Sequence, residues 1–99
     1  MGKFIQIIEM NTTKIDEIRK LDDEWKAATK GKRTATRATI AVDRDDPKRH
    51  FVIVEFASPE DAAKNDALPE TQDFATKQMA LVDGPPTFYN LDVIEVEEL

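Results

Sequence analysis

The sequence predicts an α+β domain in which a four-stranded antiparallel sheet is built in the order strand, helix, strand, strand, helix, strand. Three observations carry this prediction. Two short segments are apolar on both alternating faces, two segments repeat apolar residues every three or four positions, and two more alternate in polarity. The length of 99 residues fits one domain, and we take 1–99 as its bounds.

The first strand and the first helix occupy the N-terminal third of the chain. Lys3 to Met10, KFIQIIEM, is rich in isoleucine and apolar on both faces, as expected of a strand buried on both sides. Thr13 and Asp16 have the spacing of a capping box, which predicts that a helix begins there. The apolar stripe of this helix consists of Ile15, Ile18, Leu21, Trp25 and Ala28. Gly31 is expected to end it.

Two further strands are predicted in the middle of the chain. Thr34 to Val42 is rich in threonine and alternates in polarity, which favours an edge strand with one wetter face. Asp43 to Lys48, DRDDPK, is typical of a hairpin loop. His50 to Ala57, HFVIVEFA, is apolar on both faces and is therefore predicted to lie in the interior of the sheet.

The C-terminal part predicts a broken helix and a last strand. Ser58 is a good N-cap before a proline, and a helix is expected over Pro59 to Ala67. Pro69 disfavours helical geometry in the residue before it, so a kink and a second helix from Pro69 to Val82 should follow. The predicted inner face of that second helix holds Phe74, Ala75, Gln78, Met79 and Val82. After a Gly-Pro-Pro turn, Thr87 to Val96 alternates as a fourth strand.

This order of elements is the ferredoxin-like βαββαβ arrangement, which places strands one and three at the centre of the sheet. Those are the two strands that are apolar on both faces. One layer of helices covers only one face of such a sheet, so the second apolar face needs another cover. A second copy of the same sheet is the simplest cover, and the sequence therefore predicts a homodimer that forms an α/β barrel.

Composition excludes several classes of function. The chain contains no cysteine, which removes disulfides, thiol nucleophiles and thiolate metal sites. Its net charge of -6 disfavours nucleic acid, and the basic cluster around Arg33 and Arg37 has no interleaved aromatic residues, as expected of a solvated turn. No apolar run approaches the roughly 20 residues that span a bilayer. We expect a cytoplasmic protein without nucleic-acid or membrane partners.

Two longer segments resemble a known family. The strand and helix start FVIVEFASPEDAAKN and the broken helix, turn and aromatic-led strand LPETQDFATKQMALVDGPPTFYNLDVI resemble the dimeric α/β barrel superfamily, in particular its antibiotic biosynthesis monooxygenase-like branch. The resemblance covers nearly the whole chain. It implies a homodimer with a pocket between the helices and the sheet of each subunit. Members include cofactor-free oxygenases of polycyclic phenols, haem-degrading enzymes, small lactone isomerases and proteins of no known activity.

The histidines that mark some of these activities are missing from the expected places. Haem-degrading relatives use a histidine on the second helix and an asparagine on strand one, whereas Pro69 to Val82 has no histidine and strand one offers only Gln6. The stress-responsive branch places histidine on the first strand. The single histidine here, His50, begins strand three, where an exposed or hydrogen-bonded role is expected rather than a catalytic one.

The cofactor-free oxygenases fit the chain better. They use asparagine, tryptophan and tyrosine to bind a phenol, deprotonate it and stabilise its anion, so the resemblance implies no cofactor and no metal. On this basis Asn65 and Tyr89 are the predicted catalytic residues. The predicted ligand-binding residues are Gln6, Trp25, Phe74 and Asn90. A purely structural role stays open for each: Trp25 as a core anchor, Tyr89 at a sheet end, Asn65 at a helix end, and Gln6 hydrogen-bonded to Asn90.

The leading hypothesis is a cofactor-free monooxygenase acting on an aromatic or polyketide-like small molecule. The alternative is a non-catalytic dimeric module that binds a small ligand or is structural. A lactone isomerase would need an acid or base in the pocket, for which only Glu55, Asp92 or His50 could serve. The aspartates of the predicted hairpin match no calcium-loop spacing and are explained by the turn.

Overall fold

The computed structural model describes residues 2–99 and has the predicted βαββαβ order. The strands are β1 (Phe4–Asn11), β2 (Ala35–Asp43), β3 (Asp46–Phe56) and β4 (Thr87–Asp92). The helices are α1 (Ile15–Ala28), α2 (Pro59–Ala67) and α3 (Pro69–Met79). All strand pairs are antiparallel and the sheet order is β2-β3-β1-β4, which confirms that the two strands apolar on both faces lie at its centre.

The register of the sheet separates its side chains into two faces. Ile7 lies opposite Ile53 on β3 and opposite Tyr89 on β4, and residues directly opposite share a face. Side chains alternate along each strand, so the flanking positions belong to the other face. We call the side turned toward the helices the helix-facing face. The opposite side, which none of the described helices covers, is the open face, and its main apolar residues are Ile5, Ile7, Phe51, Ile53, Tyr89 and Leu91.

The helices form one layer, in which α1 packs against α3 and α2 contacts β2 and β3. The fully buried apolar core is small and includes Met10, Ile18 and Phe56. Phe4 and Phe56 add a tilted ring pair with centroids 6.3 Å apart. None of the described helices is both long and apolar enough to cross a membrane.

The broken helix follows the predicted local chemistry. Ser58 Oγ accepts a hydrogen bond from the Asp61 amide at 3.1 Å, and Pro59 occupies the first turn of α2. Leu68 has extended backbone angles between α2 and α3, because the Pro69 ring that follows excludes a helical conformation. Gly31 has a positive φ of 83°, which suits the turn just after α1.

The predicted cap at Thr13 is wrong. Helix α1 begins at Ile15, and its N-cap residue Lys14 makes no side-chain cap hydrogen bond. The hydroxyl that acts at this helix entry belongs to Thr12, whose Oγ1 accepts from the Lys14 amide at 2.9 Å and donates to the Leu81 carbonyl at 2.7 Å. Thr12 takes this place because it is fully buried, whereas Thr13 points to solvent.

The predicted ends of two elements and one predicted inner-face residue also differ from the structure. Strand β4 ends at Asp92 instead of Val96: Asp92 pairs with Phe4, the first residue of β1, and a single further hydrogen bond joins the Val93 amide to the Lys3 carbonyl at 3.0 Å. Helix α3 ends at Met79 instead of Val82, since the chain tightens into i to i+3 hydrogen bonds after it. Met79 is 51% exposed and therefore does not belong to the inner face.

The predicted hairpin loop is shorter in the structure. Asp43 pairs with Asp46, which leaves only Arg44 and Asp45 between β2 and β3. Strand β3 therefore begins four residues before the apolar run that starts at His50. Those four residues are mostly polar, so hydrophobic patterning does not predict them as strand.

Candidate functional site

A cleft of about 880 Å³ lies between the helices and the helix-facing face of the sheet. Its floor consists of apolar side chains from the two central strands: Ile8, Val52, Val54 and Phe56. Because α1 packs mainly on α3, space remains between this layer and the strands. A cleft of this size with an apolar floor is suited to a small organic ligand.

Two aromatic residues on neighbouring helices form one wall of the cleft. The rings of Trp25 on α1 and Phe74 on α3 are 6.4 Å apart and tilted by 49°. The indole nitrogen of Trp25 donates to Thr71 Oγ1 at 2.9 Å, and the Arg33 guanidinium lies 5.8 Å from the Trp25 ring centroid. Trp25 therefore offers a ligand its ring surface, since its N–H group is already bonded.

Two buried amide side chains also line the cleft. Asn65 on α2 is 5% exposed, and its Oδ1 accepts from the Thr34 amide at 3.4 Å. No described residue bonds its Nδ2, which leaves a donor for a ligand oxygen. Gln78 on α3 is 6% exposed and lines the same cleft, and its side chain has no hydrogen-bond partner among the described residues.

Charged side chains surround this apolar and amide-lined space. Asp22 on α1 is partly buried, and desolvation raises the pKa of its carboxyl although Lys26, at 3.7 Å, acts in the opposite direction. Asp66 on α2 also lines the cleft, and desolvation raises the pKa of its carboxyl as well. Each carboxylate is a stronger proton acceptor than an ordinary aspartate, which suits a general base.

The structure brings three predicted ligand-binding residues and the predicted catalytic residue Asn65 to one side of the sheet. Gln6, Trp25, Phe74 and Asn65 all line the cleft. Gln6 lies opposite Asn90 in the register, and its Nε2 donates to Asn90 Oδ1 at 3.2 Å. The two residues therefore share the helix-facing face and bond each other, while Asn90 itself stays outside the cleft lining.

Tyr89 is not brought together with Asn65. It neighbours Asn90 along β4 and so points to the open face, where its hydroxyl donates to Glu9 Oε1 at 2.8 Å. Arg49 donates to Glu9 Oε2 at 2.9 Å and to Asp43 at 3.1 Å. The bonds from Arg49 and Tyr89 lower the pKa of Glu9, and the bond to Glu9 raises the pKa of Tyr89.

The residues considered for a lactone isomerase lie outside the cleft lining. His50 is buried at the start of the apolar part of β3, with its Nδ1 3.0 Å from the Lys48 carbonyl oxygen, which confirms a hydrogen-bonded role. Glu55 on the open face lies 3.9 Å from Arg37, and Asp92 is the exposed end of β4. Within residues 2–99 no group of three histidine or acidic side chains could hold a metal ion.

Comparison with known proteins places this geometry in a structural context. No family model matches the chain, and no curated protein matches it. Solved structures do match it. A Caulobacter crescentus protein described as an antibiotic biosynthesis monooxygenase superposes with a TM-score of 0.81 at 14% identity, covering 95% of this chain and 92% of that one. SnoaB, a cofactor-independent oxygenase from Streptomyces nogalater, gives a TM-score of 0.80 at 13% identity over 97% of each chain.

A Nitrosomonas europaea protein, also described as an antibiotic biosynthesis monooxygenase, superposes with a TM-score of 0.77 at 12% identity, covering 95% of this chain and 93% of that one. The chain has the antibiotic biosynthesis monooxygenase-like fold. At these identities the likeness establishes the fold, and the chemistry has to be argued from the residues that line the cleft.

Three residues that line the cleft are not among the site residues predicted from the sequence: Asp22, Gln78 and Arg33. Asp22 follows Ile18 by four positions and precedes Trp25 by three, so helical spacing places it next to the apolar stripe of α1. Gln78 follows Phe74 by one turn and was expected on the inner face, but without a function. The sequence predicts Arg33 in a solvated turn, because its stacking on Trp25 is a tertiary contact that local patterning does not show.

Proposed function

We propose that this chain binds a planar aromatic or polyketide-like molecule in the cleft and oxygenates it without a cofactor. One observation carries the proposal: Asn65 presents an unpartnered amide nitrogen in the cleft that Trp25 and Phe74 line. Aromatic walls favour a flat ring system, and a buried donor favours an oxygen on that ring. The fold shared with the cofactor-independent oxygenase SnoaB is consistent with this reading.

The proposed reaction uses molecular oxygen as the oxidant. An anthrone-type substrate first loses a proton to give a delocalised enolate, which then reduces oxygen. One oxygen atom becomes a new ring carbonyl, and the other leaves as water with the two hydrogens of the oxidised carbon. Asn65 Nδ2 would donate to the enolate oxygen and stabilise its negative charge. Asp22 would accept the proton, since desolvation raises the pKa of its carboxyl.

The proposed catalytic set differs from the one expected from the sequence. Asn65 keeps its assignment, with Trp25 and Phe74 as the aromatic wall. Tyr89 is outside the set, because its hydroxyl is bonded to Glu9 on the open face. We include Asp22 in its place as the candidate base.

We further propose that the working unit is a homodimer that pairs two open faces. The open face carries apolar side chains from three of the four strands, β1, β3 and β4, and Tyr89 and Leu91 are 41% and 44% exposed. Single apolar residues scattered over a surface are ordinary, whereas a contiguous apolar patch across three strands is typical of an interface. A second copy can cover this face through a twofold interface, because Arg49 is already paired with Glu9 and Asp43 within the chain and these charges would enter the interface neutralised.

A non-catalytic ligand-binding module is the second candidate, and one observation favours it. Several polar groups of the site are bonded within the chain: Trp25 to Thr71, and Gln6 to Asn90. These hydrogen bonds within the chain hold the side chains of the pocket in place, which a binding site requires even when it catalyses no reaction.

Oxygen uptake with anthrone and with a hydroquinone separates these candidates. We expect uptake by the native chain, at least a ten-fold loss in Asn65→Ala and a comparable loss in Asp22→Asn, because each removes a group that acts on the enolate or its proton. Asn11→Ala is the matched control, since Asn11 is exposed at the end of β1. Binding of anthrone without oxygen uptake would instead establish the non-catalytic module.

A further inference from the structure

Arg33 lies in the loop between α1 and β2, and contacts within the chain hold its guanidinium in one orientation. Its Nη1 donates to the Lys26 carbonyl at 2.8 Å and to Thr29 Oγ1 at 3.4 Å. Its central carbon lies 5.8 Å from the centroid of the Trp25 ring, at the distance of a cation–π contact. Arg33 is exposed, but it lines the cleft, and these contacts give its guanidinium a defined direction there.

One edge of this guanidinium has no partner among the described residues. Both of its hydrogen bonds use Nη1, and neither Nε nor Nη2 is bonded within residues 2–99. Nε and Nη2 present parallel N–H groups in the planar fork that matches the two oxygens of a carboxylate. Arg49 shows the contrast, because its guanidinium is bonded to the carboxylates of Glu9 and Asp43. Arg33 therefore has an edge available to an anion from outside the chain.

The charge of the cleft lining has the opposite sign to that of the whole chain. Five basic and four acidic side chains line the cleft, whereas the net charge of the chain is -6. The acidic residues are Asp16, Asp22, Asp23 and Asp66. Lys26 is paired with Asp22 and Asp23, while Arg19 and Lys20 form no ion pair with a described carboxylate. An anion that enters the cleft therefore meets positive charge that the chain itself does not neutralise.

The loop that carries Arg33 is tied to the helix that carries Asn65. Thr34 follows Arg33 directly, and its amide donates to Asn65 Oδ1 at 3.4 Å. The hydroxyl of Thr34 donates to the Asp61 carbonyl on the same helix. The guanidinium of Arg33 and the unpartnered amide nitrogen of Asn65 thus border the same region of the cleft, where one ligand can contact both.

We infer that Arg33 binds a carboxylate of the ligand through its Nε and Nη2 edge, so that the cleft takes an aromatic acid in its ionised form. This inference rests on the proposed function and adds a substrate class to it, namely aromatic carboxylates rather than their amides or esters. Because the guanidinium stacks on Trp25, its charge lies beside the ring surface that a planar ligand would contact. The carboxylate and the ring of one molecule would then be recognised by adjacent side chains.

Calorimetric titration with 2-naphthoate and 2-naphthamide at neutral pH tests the inference. The two probes have the same ring system and nearly the same size, but only the first carries a charge. We expect the native chain to bind 2-naphthoate about ten-fold or more tightly than the amide, because a charge-assisted bidentate pair is stronger than a neutral hydrogen bond. In Arg33→Gln the ratio should fall to about one. Arg44→Gln is the matched control: it removes the same charge from the exposed turn between β2 and β3 and should keep the native ratio.

Arg33→Lys separates the shape of the guanidinium from its charge. Lysine keeps the positive charge but lacks the planar fork, so its ratio should lie between those of the native chain and Arg33→Gln. Equal binding of both probes by the native chain, or the native ratio in either Arg33 variant, would overturn the role of Arg33 and leave aromatic binding standing. If neither probe bound to the native chain, this inference and the proposed function would both be overturned.

Discussion

The indole nitrogen of Trp25 lies 2.9 Å from Thr71 Oγ1, and this hydrogen bond joins α1 to α3 along one wall of the cleft. It has two consequences for the site. It fixes the tilt of the Trp25 ring against Phe74, and it uses the only polar group of the indole. The tryptophan therefore acts through its ring surface, and a ligand does not compete with Thr71 for the N–H group.

This bond can be measured with a double-mutant cycle. Trp25→Phe removes the donor and Thr71→Val removes the acceptor hydroxyl, so each single variant loses the same interaction. We expect a coupling free energy of about 1 kcal/mol from urea unfolding of the four chains, as for a partly buried hydrogen bond. Additive effects of the two substitutions would contradict a bond between the helices.

The entry of α1 gives a sharp comparison between two adjacent threonines. Thr12→Ala removes the hydroxyl that bonds both the Lys14 amide and the Leu81 carbonyl, and Thr12 is fully buried. We expect it to lower the free energy of unfolding by about 1–3 kcal/mol, because a buried carbonyl loses its partner. Thr13→Ala is the matched control and should stay within about 0.5 kcal/mol of the native chain in chemical unfolding. A larger loss of unfolding free energy in Thr13→Ala than in Thr12→Ala would instead show that Thr13 caps α1.

These two threonines also illustrate what the sequence could predict. Strand order and the location of the two central strands follow from patterning and connectivity, since both act over whole segments. The choice between Thr12 and Thr13 depends on the Leu81 carbonyl, which is distant along the chain. A capping motif of adjacent threonines cannot resolve that choice without the tertiary contact.

In the candidate site, too, some features follow from strand patterning and others depend on tertiary packing. The sequence places Gln6 and Asn90 on adjacent strands but leaves open whether they share a face, and the structure shows that they do. Strand alternation puts Tyr89 on the other face, so Tyr89 and Asn90 could not both have faced one pocket. Asp22 cannot be predicted as a site residue from the sequence, because a charge beside an apolar stripe is usually solvated, and only the packing of α1 places it beside the cleft.

The proposed homodimer is tested by a charge on the open face. Ile53 lies opposite Ile7 at the centre of that face, so Ile53→Glu should place a carboxylate in the interface of each subunit. We expect light scattering after size-exclusion chromatography to show a dimer for the native chain and a monomer for the variant, because an unpaired buried charge is costly. Met79→Glu is the matched control, as it charges an exposed apolar residue of the helix layer and should stay dimeric. A monomeric native chain would refute the dimer.

Tyr89 is the only tyrosine of the chain, so its ionisation can be followed directly by ultraviolet absorbance. Its hydrogen bond to Glu9, and then the negative charge of that residue, raise the pKa of the phenol. A raised folded-state pKa stabilises the fold below the pKa of the unfolded chain, and that contribution is lost as the pH rises through the folded-state value.

Glu9→Gln removes both causes, so the pKa of Tyr89 should fall toward its ordinary value of about 10. In the native chain, the free energy of unfolding should decrease as the pH rises above that value. In Glu9→Gln this decrease should be absent. Glu55→Gln is the control, because Glu55 lies on the same face but is paired with Arg37. An identical tyrosine titration in the native chain and in Glu9→Gln would mean that the hydroxyl of Tyr89 is free in solution and available for another role.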